Sequence, residues 1–167
     1  MQHLEKKKIG KVNDQSVIDR AKKTFLLEAQ AISRLESVLD NDFIGVVCLI
    51  LENKGKVVVT GIGKSAIVAQ KIVATFNSTG TPALFMHAAD AIHGDLGMIQ
   101  ADDVILCLSK SGETVELKTL LPMINNLGAS LIAMTSRKDS FLALRADLLL
   151  YTPIPSEADP DNLVPTT

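Results

Sequence analysis

The stretch Asp103-Val-Ile-Leu-Cys-Leu-Ser-Lys-Ser-Gly-Glu-Thr114 carries an apolar run into a polar turn, and a helical pattern follows from Thr114 to Leu127. A buried strand that hands the chain to a helix is the repeating unit of a parallel α/β sheet. The turn, Ser109 to Thr114, holds three hydroxyls, a lysine and a glycine. The unpaired N–H groups of a first helical turn, with the helix dipole behind them, favour an anion there. The same residue types also serve as ordinary caps and turns, so the segment alone leaves both readings open.

Working outward, the same alternation recurs. Lys56–Thr60, Thr81–Met86, Val104–Leu108, Ser130–Thr135 and Asp147–Thr152 read as strands. They carry little polar alternation, as expected for strands covered on both faces. Helical patterns fall over Lys64–Asn77, Thr114–Leu127 and Ser140–Arg145. Upstream, residues 14 to 40 read as a long amphipathic helix with Asp14 as N-cap, and Asp42–Glu52 as a second helix. The expected fold is α/β, a three-layer sandwich. Its five-stranded parallel sheet is doubly wound in the flavodoxin-like manner and carries an N-terminal helical arm. Residues 1–13, with the run Lys6-Lys7-Lys8, read as a solvated tail ahead of a domain over 14–167.

Composition narrows the function classes. Apolar residues at 47% against 22% charged give a foldable core, and a net charge of −2 offers no nucleic-acid surface. No apolar run has the length of a membrane span, and the N-terminus lacks the apolar region of a signal peptide. Cys48 and Cys107 both lie in apolar runs and read as core thiols. These features together predict a cytoplasmic protein.

In a doubly wound sheet, ligands bind beyond the carboxyl ends of the strands, near the topological switch point. Gly61–Ser65 after the first strand and Ser109–Thr114 after the third are expected to face one crevice. The loops His87–Gly97 and Pro153–Asn162 leave the same side. Gly61-Ile-Gly-Lys-Ser-Ala66 fails the Walker pattern, because Val58 stands where its first glycine belongs. It matches Gly-x-Gly-x-x-Ala, but the acid of the dinucleotide fingerprint is missing near His87, which argues against a nicotinamide cofactor. A strand-to-helix turn remains, in which Gly61 and Gly63 admit a ligand to the backbone and Lys64 and Ser65 meet a phosphate or hydroxyl. A tight turn with a surface lysine is the plain alternative.

His87, Asp90, His93 and Asp95 lie close together in sequence. No cysteine joins them and the spacing matches no zinc signature, so no metal site is assigned, although a metal at His87 and His93 stays open. His93 is a candidate general acid/base. Glu113 and Glu116 open the helix after the serine turn, where acids serve the dipole, and Glu116 is also within reach of a substrate. Glu157 lies in a proline-rich loop with no helix to serve, so it reads either as a site residue or as a solvated charge.

Gly-Ile-Gly-Lys-Ser-Ala paired with Ser-Lys-Ser-Gly-Glu-Thr resembles the sugar isomerase (SIS) domain family. His93-Gly-Asp-Leu-Gly-Met98, following Ser78-Thr-Gly-Thr-Pro82, is similar to its arabinose 5-phosphate isomerases, including the capsule-formation type. The resemblance runs from about residue 15 to Thr167. It implies interconversion of D-ribulose 5-phosphate and D-arabinose 5-phosphate through an enediol, feeding Kdo synthesis for lipopolysaccharide or capsule. It also implies no organic cofactor and a homotetramer with sites built across subunits. By the same resemblance, Ser109, Ser111, Gly112 and Thr114 hold the phosphate with Ser65 nearby, and Lys64, His93, Glu116 and Glu157 are catalytic. The pathway position suggests CMP-Kdo as a feedback ligand.

Two departures stand out. Family members usually continue past Pro165-Thr-Thr167 into a helix and a His-Pro-Gly-Gly segment, and many then carry a pair of CBS domains. This chain stops first and is expected to be a truncated form. A non-catalytic phosphosugar-binding regulator and an isomerase of another phosphosugar are the alternative readings.

Overall fold

Five strands, all parallel, lie side by side in the order β2-β1-β3-β4-β5. They are β1 (Val57–Gly61), β2 (Ala83–His87), β3 (Val104–Leu108), β4 (Ser130–Thr135) and β5 (Leu148–Tyr151). A computed structural model describes residues 13–158 of the chain. The expected tail up to residue 12 and the segment 159–167 lie outside the described residues.

Every residue of β1 and β3 is buried, because each strand is flanked by strands and covered above and below. Val57, Val59, Val104, Leu106 and Ile132 face α2 (Asn41–Glu52) and α3 (Lys64–Ser78). Val58, Ile105, Cys107, Leu131 and Ala133 face the opposite layer, where α5 (Val115–Leu127) contributes Leu117, Leu120, Leu121 and Ile124 and the short α4 (Ala88–Ile92) contributes Ala88 and Ala91. The strict alternation of facing gives three layers and explains why these strands read as continuous apolar runs. Burying such side chains contributes about 1.5–3 kcal/mol each relative to exposure.

Ser37–Pro153 form one compact unit. The helix α1 (Asp14–Leu35) and residues 154–158 belong to a second unit. Within that helix no residue is buried, and its apolar residues Ile18, Phe25 and Ile32 are exposed. Asn13 rather than Asp14 caps it, its side chain accepting from Gln15 N–H at 3.1 Å. The α-helix also stops at Leu35, ahead of the expected residue 40, and a 3-10 turn over Glu36–Val38 follows. The expected helix over Ser140–Arg145 is a 3-10 turn over Ala143–Arg145. Cys107 is a core thiol whose pKa burial pushes up to about 12. Cys48 is exposed on α2, against expectation, because that helix turns only one side to the sheet.

At the amino end of the sheet, Asp103 ties the entries of β1 and β3 together. Its carboxylate accepts from Lys56 Nζ at 2.6 Å, from Lys56 N–H at 2.9 Å and from Gln100 N–H at 2.8 Å. Burial pushes the carboxyl up, but these three donors and the Lys56 charge outweigh it and hold the pKa below the usual carboxylate value.

Candidate active site

β1 and β3 are neighbours whose connections run to opposite faces, so the switch point lies between their carboxyl ends, where Gly61 pairs with Leu108. A cavity of about 440 Å³ opens there. Ser65 lines it from α3, and Ser109, Lys110, Ser111 and Thr114 line it from the turn after β3. Ser136 and Arg137 add a third wall from the turn after β4.

The serine turn is held by its own hydroxyls. Ser109 is buried, and its Oγ accepts from Gly112 N–H at 3.0 Å. Ser111 Oγ accepts from Glu113 N–H at 3.3 Å. Gly112 adopts φ +65°, and a Cβ there would fall 2.5 Å from Ser140 Cβ. Glycine is therefore required on two counts, backbone region and space. Thr114 is the N-cap of α5 but makes no side-chain capping bond, and its Oγ1 is buried without a hydrogen-bond partner. A hydroxyl left unpaired in the wall of a cavity, at a helix N-terminus, is suited to an anionic ligand.

On the β1 side, close approach sets the turn. A Cβ on Gly61 would lie 3.0–3.1 Å from the Ser65 backbone, so the glycine lets the first turn of α3 fold tightly over the strand end. Gly63 is the N-cap of that helix and Lys64 its first residue.

The third wall is laced to the second. The Lys110 carbonyl accepts from Ser136 N–H at 3.1 Å, Ser136 Oγ at 2.6 Å and Thr135 Oγ1 at 3.1 Å. Glu113 Oε1 accepts from Phe141 N–H at 2.7 Å, and its other oxygen pairs with Lys118 Nζ at 2.9 Å. Lys118 and the Phe141 amide hold the Glu113 carboxyl below its usual value. Arg137 pairs with Asp139, which lowers the Asp139 carboxyl and raises the Arg137 guanidinium.

Of the residues singled out from sequence, Ser65, Ser109, Ser111 and Thr114 share the cavity wall, and Gly61, Gly63 and Gly112 form the turns that carry them. Lys64, His93 and Glu116 are not in that wall. His93 follows α4, exposed, and Glu116 is half-buried in the first turn of α5. Glu157 is half-buried in the segment after β5, in the second unit. His87 stands beside Gly61 at the end of β2, its Nδ1 3.8 Å from Asp90 Oδ2. Among the described residues no group of three or more His, Cys, Asp or Glu could hold a metal. Ser136 and Arg137 escaped the sequence reading. The rule that ligands sit beyond strand carboxyl ends applies equally to the loop after β4 and was the signal available.

The SIS domain family model matches residues 50–167. The chain is 49% identical over 150 residues to the arabinose 5-phosphate isomerase KdsD of Pseudomonas aeruginosa, covering 90% of this chain and 46% of that one. It is 44% identical over 153 residues to the arabinose 5-phosphate isomerase GutQ of Escherichia coli K12, covering 92% and 48%. The chain thus spans about half the length of the curated relatives it matches. The solved structure of Escherichia coli CFT073 c3406 in complex with arabinose 5-phosphate superposes with a TM-score of 0.88 at 39% identity, covering 93% of this chain and 82% of that one.

Proposed function

Because the chain belongs to the SIS domain family, we propose that it interconverts D-ribulose 5-phosphate and D-arabinose 5-phosphate. The observation that carries this reading is the hydroxyl-lined cavity at the switch point, where the unpaired Thr114 Oγ1 sits beside Ser65, Ser109 and Ser111. It has the donor set for a phosphate monoester. The Escherichia coli structure in complex with arabinose 5-phosphate supports a phosphosugar as the ligand.

With the phosphate held, the sugar carbons carry the chemistry. A base takes a proton from C1 of the ketose, an enediol forms, and the proton returns at C2 to give the aldose. A second group moves the proton between O1 and O2, and a cation steadies the developing oxyanion. In this reading Glu157 is the carbon base, His93 the proton shuttle and Lys64 the cation. Glu116 orients Lys64 or a sugar hydroxyl. Substrate and product are isomers, so the route calls for no redox cofactor.

The product would supply Kdo synthesis for lipopolysaccharide or capsule, in the cytoplasm, with CMP-Kdo as a feedback ligand and a homotetramer as the working assembly. No helix among the described residues is long and apolar enough to cross a membrane.

The test is ribulose 5-phosphate turnover by the chain and by Glu157→Gln. Loss of a positioned acid/base group is expected to cut kcat by about 100-fold or more with the fold retained. Near-normal turnover by the variant overturns the base assignment. Phosphosugar binding without turnover by the unaltered chain supports a non-catalytic binding module instead.

A further inference from the structure

We propose that Arg137 is a phosphate-reading residue of the switch-point cavity, and that Asp139 holds its guanidinium until a bound anion takes it over. The proposal rests on the phosphosugar reading and deepens it.

Arg137 lines the cavity with Ser65, Ser109, Ser111 and Thr114, the hydroxyls that suit a phosphate. Its backbone is fixed on both sides. Arg137 N–H donates to Thr135 Oγ1 at 3.3 Å, and its carbonyl accepts from Ser140 Oγ at 2.8 Å and Ser140 N–H at 3.3 Å. The preceding residue, Ser136, bonds twice to the Lys110 carbonyl of the serine turn. Thus the residue bearing the guanidinium keeps a set position relative to Ser109–Thr114, although 26 residues separate Lys110 from Ser136.

The side chain is held loosely by comparison. Nε reaches Asp139 Oδ1 at 3.4 Å and Nη2 reaches Oδ2 at 3.2 Å. The two side chains are 51% and 77% exposed. Exposed pairs of this kind contribute little to stability and exchange readily. A phosphate offers the same fork acceptors as a carboxylate, with more charge, in a cavity lined by Thr114, the N-cap of α5. The guanidinium therefore gains by turning from Asp139 to the ligand.

The test uses the full 167-residue chain. Calorimetry measures inorganic phosphate and arabinose 5-phosphate binding, and turnover of ribulose 5-phosphate gives KM and kcat. Arg137→Ala is expected to weaken both ligands and raise KM by about tenfold or more, with KM bearing more of the loss than kcat. Arg137→Lys recovers only part of this, because an ammonium lacks the fork. Asp139→Asn is expected to tighten inorganic phosphate, since the competing carboxylate charge is gone. Denaturation midpoints near that of the unaltered chain exclude misfolding. Phosphate and phosphosugar affinities of Arg137→Ala within about twofold of the unaltered chain overturn the role of Arg137 while leaving the phosphosugar reading intact. Failure of the unaltered chain to bind either ligand overturns both.

Discussion

Gly112 shows how closely a single residue constrains the cavity. Its φ of +65° disfavours any side chain, and Ser140 and Thr135 occupy the space a Cβ would need. Its own N–H donates to Ser109 Oγ, and its carbonyl accepts from Leu142 N–H at 3.0 Å. The residue therefore pins the serine turn from inside and fastens it to the segment after β4. Gly112→Ala is expected to destabilise the fold by about 1–2 kcal/mol from the backbone region, with a further cost from displaced Ser140. Denaturant midpoints read the stability loss, and phosphate calorimetry reads the damage to the turn. Unchanged values in both would mean that the turn relaxes freely.

At the scale of elements, Asp103 is the counterpart at the other end of the strands, joining the entries of β1 and β3. Its depressed pKa gives the direction of a pH effect. A carboxyl lowered in the folded state contributes stability that is fully present above its ordinary value near 4 and is lost as pH falls through the depressed value. Asp103→Asn is expected to cost about 1.5–3 kcal/mol at pH 7, the range for hydrogen bonds to a charged group. Unfolding titrations at pH 7 and pH 3 should show the gap to the unaltered chain narrowing in acid. A gap independent of pH would remove the charge from the explanation. This tie was not legible in the sequence, because Lys56 and Asp103 stand 47 residues apart and nothing local marks them as partners. The strands themselves were legible. Val57–Val59 and Val104–Leu108 sit between neighbours and beneath helices, so burial wrote itself into composition. Helix ends were read less well at α1, where Asn13 takes the capping role expected of Asp14. In the candidate site, the hydroxyls of Ser65 and Ser109–Thr114 were readable from turn chemistry. The carboxyl-end rule pointed to the loop after β4 but not to Arg137 itself, since its place in the wall depends on lacing between two loops that are distant in sequence.

On the scale of the whole molecule, the described residues leave much apolar surface uncovered. α2 exposes Phe43, Ile44, Val47 and Leu51, and α3 exposes Ile67 and Val68. Exposed large apolar side chains, where they gather into a patch, mark association surfaces. The proposed homotetramer would have a mass of about 72 kDa by light scattering, from four chains of 17.9 kDa. A stable species of one chain mass at micromolar concentration would sink it. Ile44→Glu with Leu51→Glu is expected to shift the assembly toward smaller species. The Asp103 tie has a practical consequence at this scale. It sits at the amino edge of the sheet, whereas the hydroxyl residues of the cavity wall lie beyond the carboxyl edge, the length of β3 away. An engineer seeking a hardier protein therefore has a place to work. Reinforcing the strand entries is expected to raise the melting temperature without stiffening the edge proposed to accept and release a phosphosugar, so the usual compromise between durability and proposed activity would be relaxed by geometry.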